Sequence, residues 1–271
     1  MELLQNADDA EYGSHAIPKL TITLTSSSIR FDTNERGFCW GDVEAICSIA
    51  ESSKTKGKEN SKARRIGEKG IGFKAVFSVA EHVFIKSGYY SFKFNSNETL
   101  GRLMPEWHHF PQSPIPGSTS ILLQLRKKDA YERIGRDIER LDASILMFLR
   151  NIKKVEVELH LPSPNYPIRR FELQRTDEIG EYYGLSLRTL LATPDRHSAY
   201  FIHRYLVEDL PEEPKRKGCT DSEIVLAFPT DLPPSPGEQK DQASLPTCKV
   251  YSFLPVRDYG FKVSFQLYTS C

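Results

Sequence analysis

From Lys19 to Thr25, Leu20, Ile22 and Leu24 alternate with Thr21, Thr23 and Thr25. A period of two predicts a strand with one buried face. A serine turn at Ser26, Ser27 and Ser28 separates it from a second predicted strand, Ile29 to Asp32. The period then lengthens: Val43, Ile46, Cys47 and Ala50 predict a helix over Gly41 to Ala50. Residues 2–11 also read as helix, as do Phe73 to Ala80 and, as one long amphipathic element, Ala130 to Asn151. His82 to Ser87 and Tyr89 to Phe94 predict a hairpin turned at Ser87-Gly88. Thr119 to Leu125 and Val155 to Leu161 predict further strands. The four prolines of residues 99–118 predict irregular chain.

Beyond residue 160 strands dominate: Arg169 to Gln174, Ala199 to Val207, Glu223 to Phe228, Val250 to Leu254 and Phe261 to Leu267. Leu232 to Pro246, rich in Pro, Ser, Gly and Gln, predicts a disordered loop. A boundary near residue 150 gives domains 1–150 and 151–271. Both ends read as cuts through a longer protein or as an imperfect gene model: a helix is already under way at Glu2, and the chain stops at Cys271 just after a predicted strand.

Composition narrows the class. The chain has 271 residues, 39% hydrophobic and 27% charged, with 36 basic residues against 36 acidic ones. A balanced net charge gives no global attraction to nucleic acid or to a membrane surface. The local exception is a basic run, Lys54, Lys56, Lys58, Lys62, Arg64 and Arg65, with Lys69 just beyond it. It holds no interleaved aromatics for base stacking, so a nucleic-acid module is disfavoured. Cys39, Cys47, Cys219, Cys248 and Cys271 show no C-x-x-C spacing and read as reduced thiols. No apolar run has the length of a membrane span. An intracellular protein, cytoplasmic or nuclear, is expected.

Chemistry concentrates in four places. Gly67, Gly70 and Gly72 precede a predicted helix, with Lys69 and Lys74 beside them. Backbone freed from Cβ, at the positive end of a helix, suits an anion and most often a phosphate. On the first helix Glu2, Asn6 and Asp9 follow i, i+4 and i+3 spacing, so they share one face. Such a stripe can polarise water and offer oxygen to Mg²⁺, or it can be a solvated polar face. Phe31-Asp32-Thr33-Asn34-Glu35-Arg36-Gly37-Phe38 ends a strand, where a short polar side chain can reach a ligand edge or merely close a turn. Finally, Pro116-Gly117-Ser118-Thr119 enters a strand with a hydroxyl.

The order of these signals resembles the GHKL ATPase superfamily: E-x-x-x-N-x-x-D on a helix, D-x-x-x-x-G-F after a strand, a basic loop, G-x-x-G-x-G-F, then G-x-T-x-x-x-L. "ELLQNADDA" with "GEKGIGFKAVF" is most similar to its sacsin-like and NO VEIN-like branch. The resemblance covers residues 2–125 with specific motifs. It implies the Bergerat ATP-binding fold, an α+β two-layer α/β sandwich with a mixed, mainly antiparallel sheet and helices on one face. A smaller α+β domain would follow.

It also implies ATP and Mg²⁺ as cofactors, with residue roles by motif. Glu2 would be the general base for the attacking water, and Asn6 would hold Mg²⁺ against the phosphates. Asp9 would support that helix face. Asp32 or Thr33 would read the adenine amine; counting back from Gly37 selects Thr33, and the residue type selects Asp32. Gly37 would pack near the base and Thr119 would contact it. Gly67, Lys69, Gly70, Gly72 and Phe73 would wrap the phosphates, and residues 52–66 would form a lid.

The activity implied is slow ATP hydrolysis driving lid closure in a chaperone-like or scaffold assembly, with protein clients or partner domains. A nucleotide-binding or protein-interaction module without hydrolysis is the alternative. Histidine kinase activity is disfavoured, because His15 and His82 lie inside the nucleotide-domain pattern and His108-His109 in a proline-rich loop.

Overall fold

The structure, a computed structural model, describes residues 2–47, 71–98, 100–126, 128–160, 167–182, 185–194, 197–211, 220–230, 248–252 and 254–270. The chain divides into two compact units: Met1–Leu141 with Arg150–Glu172, and Asp142–Leu149 with Leu173–Cys271.

The first unit carries β1 (Lys19–Leu24), β2 (Ser28–Thr33), β3 (Ala80–Ser87), β4 (Tyr90–Asn95), β5 (Glu106–Trp107), β6 (Thr119–Leu125) and β7 (Lys154–Leu159). Their order is β7-β1-β2-β6-β3-β4-β5. β1 runs parallel to β7, and the other neighbours are antiparallel. Register turns the predicted alternation into a core. Leu20, Ile22 and Leu24 stand opposite Val155, Val157 and Leu159 on one side and Thr33, Phe31 and Ile29 on the other. The same face continues through Leu123, Val83, Ile85, Phe92 and Phe94, all buried. Side chains at alternate positions share a face, so one apolar period builds one core.

Four helices belong to this unit: α1 (Glu2–Asp8), α2 (Trp40–Cys47), α3 (Ile71–Lys74) and α4 (Lys128–Glu139). A 3-10 turn over Ala75–Ser78 follows α3, and its Phe77 joins Phe73 and Phe94 in an aromatic cluster with centroids 5.9–6.2 Å apart. α2 starts where the Asp42 carboxylate accepts from Cys39 N–H at 2.9 Å, half of a capping box. α4 crosses the core face: a Cβ added at Gly135 would come 3.5 Å from Leu24.

The second unit carries β8 (Arg169–Tyr182, of which Leu173 onward lies in this unit), β9 (Leu185–Ala192), β10 (His197–Val207), β11 (Asp221–Thr230), β12 (Cys248–Ser252), β13 (Leu254–Phe261) and β14 (Ser264–Ser270). The order is β8-β9-β10-β11-β14-β12-β13, antiparallel except for β12 beside β14. A 3-10 turn at Ala143–Met147 covers part of it: Phe148 lies 4.4 Å from the Tyr251 ring, and Ser144 Oγ is 2.6 Å from Tyr251 Oη.

The expected fold class is corrected here. Two strand-rich units, with seven strands introduced in each, replace the two-layer sandwich with its smaller α+β partner, and strands take far more of the described residues than helices do. Two causes stand out. The predicted helix Ala130 to Asn151 stops at Glu139, and Asp142 turns extended, its carboxylate taking Ser144 N–H at 2.9 Å. The run Ile145, Leu146, Met147, Phe148 and Leu149 is apolar all round and entirely buried, so no polar face remains for an amphipathic helix to show. The predicted helix Phe73 to Ala80 similarly shrinks to α3 and a 3-10 turn, with Ala80 already in β3. Among the described residues, no helix is long and apolar enough to cross a membrane.

Burial pushes the Tyr251 phenol up to about 12, against the opposing bond from Ser144. Because the folded pKa is raised above the ordinary value of 10.0, the stability this buried neutral phenol contributes is complete below that value and is lost as pH rises through about 12. Urea unfolding midpoints should therefore fall above about pH 10, and Tyr251→Phe should flatten that fall.

Candidate functional site

Three neighbouring strands bring hydroxyls together on the core face. Thr33 at the end of β2 stands opposite Thr119 at the start of β6, and Thr119 opposite Ser87 at the end of β3. All three are buried. Ser87 Oγ and Thr119 Oγ1 share a hydrogen bond, and Phe38 N–H donates to Ser87 Oγ at 2.8 Å. Gly37 reaches this position with φ +93°, and an added Cβ would come 3.3 Å from Ser87 Oγ. The backbone at 37–38 is thus seated on the hydroxyls, a close approach that glycine permits. Gly37→Ala should cost about 1–3 kcal/mol from the positive φ alone, read as a lowered urea midpoint with little change in slope.

Asp32 takes the opposite face. Its Oδ1 accepts from Arg30 Nε at 2.9 Å and Nη2 at 2.8 Å, and also from Ser120 Oγ. Arg30 in turn lies 5.3 Å from the Phe110 ring centroid and donates to Gln112 Oε1 and Ser113 O. Asp32 therefore anchors the segment 110–113 through Arg30. Of the two candidates for one role, Thr33 stands beside Thr119 and Asp32 points away.

α1 buries Leu3, Leu4, Ala7 and Asp8, and exposes Glu2 and Asn6 on one stripe. Asp9 is half-buried, with its N–H on Gln5 O at 2.9 Å. α1 lies against α3. The chain after α1 also meets the chain after β2: Tyr12 bridges Glu35, Arg36 N–H donates to Glu11 O at 2.8 Å, and Tyr12 Oη donates to Ala7 O at 2.6 Å. Burial first, then the charges of Glu35 and Asp8, hold the Tyr12 phenol neutral well above its usual range. The stretch bearing Gly37 and the end of α1 are thereby tied together.

Asp8 went unnoticed in the sequence. It is 1% exposed, and its carboxylate takes Arg150 N–H at 2.8 Å on Oδ2, with Asn151 N–H at 2.8 Å and Ile152 N–H at 2.9 Å on Oδ1. A signal existed. An acid in the last turn of a helix that has no basic residue there opposes the macrodipole, and it needs a partner elsewhere.

Of the glycine run, Gly67, Lys69 and Gly70 lie outside the described residues, as do residues 52–66. Gly72 falls within α3, and Phe73 is buried against Phe77 and Phe94. Lys74 donates to Ile46 O and Arg102 O, each at 2.7 Å, and stands 5.1 Å from the Phe94 centroid. Burial lowers its pKa, with Cys47 opposing. These bonds direct Lys74 to a carbonyl near the end of α2 and to one in the turn at Arg102.

Among the described residues no group of three His, Cys, Asp or Glu side chains is assembled for a metal. Mg²⁺, however, is commonly held by one or two protein oxygens together with substrate phosphates, and Asn6 offers such an oxygen. At Gly37 an added Cβ would crowd Ser87 Oγ, so the backbone lies close against the hydroxyls.

No family model matches the chain. It is similar to Protein NO VEIN of Arabidopsis thaliana, 28% identical over 286 aligned positions. That alignment takes in 98% of this chain and 10% of the other protein, so the chain spans about a tenth of its relative's length.

Proposed function

We propose that the first unit binds Mg-ATP and hydrolyses it slowly, as the resemblance to GHKL ATPases implies, within a larger assembly of chaperone or scaffold type. The observation that carries this reading is the hydroxyl row Thr33, Thr119 and Ser87 with the Gly37–Phe38 backbone seated on it. In this reading Thr33 and Thr119 meet the base, and Gly37 packs beside it. Asn6 would hold Mg²⁺, which when bound neutralises phosphate charge. Glu2 takes the proton of the attacking water, positioned four residues before Asn6 on the same stripe. Positioning and electrostatics supply most of the rate.

A second reading, nucleotide binding without turnover, is favoured by the exposure of Glu2, because a carboxylate in water is a weaker base than one shielded from it. ADP formation separates the two. The parent should form ADP from Mg-ATP, and Glu2→Ala should bind nucleotide yet lose turnover by about 10²-fold or more. Equal turnover by both proteins would remove Glu2 from the role of base. Binding with no turnover by the parent would select the second reading.

A further inference from the structure

The hydroxyl row of the first unit has a direction. Phe38 N–H can only donate, and it donates to Ser87 Oγ at 2.8 Å. Ser87 is 0% exposed, so its own proton needs an acceptor inside the protein. Thr119 Oγ1, which shares a hydrogen bond with Ser87 Oγ, is that acceptor. The reverse arrangement, with Thr119 donating to Ser87, would leave the Ser87 proton buried without a partner among the described residues, which is unfavourable. The chain from Phe38 N–H through the Ser87 hydroxyl to Thr119 is thus ordered, each bond polarising the next. It ends on the Thr119 proton, offered outward from the row.

Thr33 completes the row on the other side. It stands opposite Thr119 and is 8% exposed, and its hydroxyl has no hydrogen-bond partner among the described residues. A hydroxyl turns about its C–O bond, so it donates or accepts as its neighbour requires. The carboxylate beside it in the chain is withheld. Asp32 points to the opposite face, where Oδ1 takes Arg30 Nε at 2.9 Å, Arg30 Nη2 at 2.8 Å and Ser120 Oγ. The row therefore presents one ordered donor and one adaptable hydroxyl, and none of its side chains carries a charge.

That composition bears on which base is read. Adenine carries an amino donor at position 6 beside the N1 acceptor, whereas a 6-oxo purine carries an oxygen acceptor beside an N1–H donor. An ionised carboxylate only accepts, so it matches the amino group and meets the oxo oxygen as acceptor against acceptor. Hydroxyls match both. Thr119 can donate to N1 of the one or to the oxygen of the other, and Thr33 can turn to meet the remaining group. We propose that the site takes purine nucleotides without distinguishing 6-amino from 6-oxo bases, with Thr33 as the specificity-determining residue. The inference rests on the nucleotide reading above, and every residue in it belongs to the first unit.

Calorimetric titration of the full chain with Mg-ATP and, separately, with Mg-ITP tests it. ITP carries the 6-oxo group without the extra amino group of GTP, so the two ligands differ at one edge of the base. Their dissociation constants should lie within about 10-fold of each other. A preference above about 10-fold for either nucleotide would overturn the inference and leave the nucleotide reading standing. If neither nucleotide binds, that reading fails and the inference with it.

Variants then locate the specificity. Thr33→Asp installs the carboxylate that the register of β2 turns away, and it should shift the ratio toward Mg-ATP by about 10-fold or more, because the oxo oxygen then faces an acceptor. Thr33→Asn, of the same size but able both to donate and to accept, should keep the parent's ratio. A folded Thr33→Asp with the parent's ratio would remove Thr33 from the specificity role. Should Thr33→Asp fail to fold, the ratio measured on the parent alone decides.

Discussion

Asp8→Ala should lower the free energy of unfolding by about 3–5 kcal/mol, as much as truncating a large core side chain. The carboxylate holds three consecutive amides, those of Arg150, Asn151 and Ile152. A hydrogen bond to a charged acceptor contributes about 1.5–3 kcal/mol, and a buried donor left without a partner costs about 1–3 kcal/mol. Ile152 N–H is buried, whereas the other two are partly wet and can turn to water, which brings the sum down to that range. Asp8→Asn keeps the shape and one acceptor oxygen, so it should lose less. Urea titration of the three proteins measures this directly. A loss below about 1 kcal/mol for Asp8→Ala would mean that the amides find other acceptors and that α1 is not mounted through Asp8.

The difference between what could and could not be read in advance has a physical pattern. β1 and β6 are legible because their information is local: β1 alternates apolar and polar residues with one face buried, and β6 carries the apolar run Ile121, Leu122 and Leu123. The hydroxyl row is half legible. Thr119 and Gly37 stand out by motif, but Ser87 joins them only through strand pairing 32 residues away. The choice between Asp32 and Thr33 is a question of face, set by the register of β2 against β6 and by the Arg30 partner of Asp32. Asp8 reads as one more acid on a polar helix until its amides, more than 140 residues distant, are seen.

The helix expected to Asn151 fails for a complementary reason. Its later residues satisfy a helical period only because nearly all of them are apolar, and burial on every side overrides the local preference. In the strand-rich second half the sequence pattern misses β9 and β13, whose bonds come from β8 and β10 and from β12.

Asn6→Ala should weaken Mg-ATP binding on the order of 100-fold while leaving unfolding within about 0.5 kcal/mol of the parent. Asn6 is exposed and lies on the stripe of α1 opposite the buried Leu3, Leu4 and Ala7, so its removal opens no cavity. What is lost is an oxygen that can sit between Mg²⁺ and the rest of the unit. Mg²⁺ dehydrates reluctantly and keeps few protein ligands, so each of them carries much of the affinity. ATP without Mg²⁺ should bind parent and variant with similar, weaker affinity, which distinguishes a lost metal ligand from a damaged base pocket. The companion change Thr33→Val should act at the other end, weakening ATP and ADP alike.

Isothermal calorimetry of the parent chain and Asn6→Ala with Mg-ATP bears most directly on the central claim, that the first unit is a nucleotide site assembled from α1 and the Thr33–Thr119–Gly37 seat. Saturable, Mg²⁺-dependent binding by the parent, lost by about 100-fold in a stably folded Asn6→Ala, is the expected result. No heat of binding in the parent, or equal affinity in a folded Asn6→Ala, would contradict it.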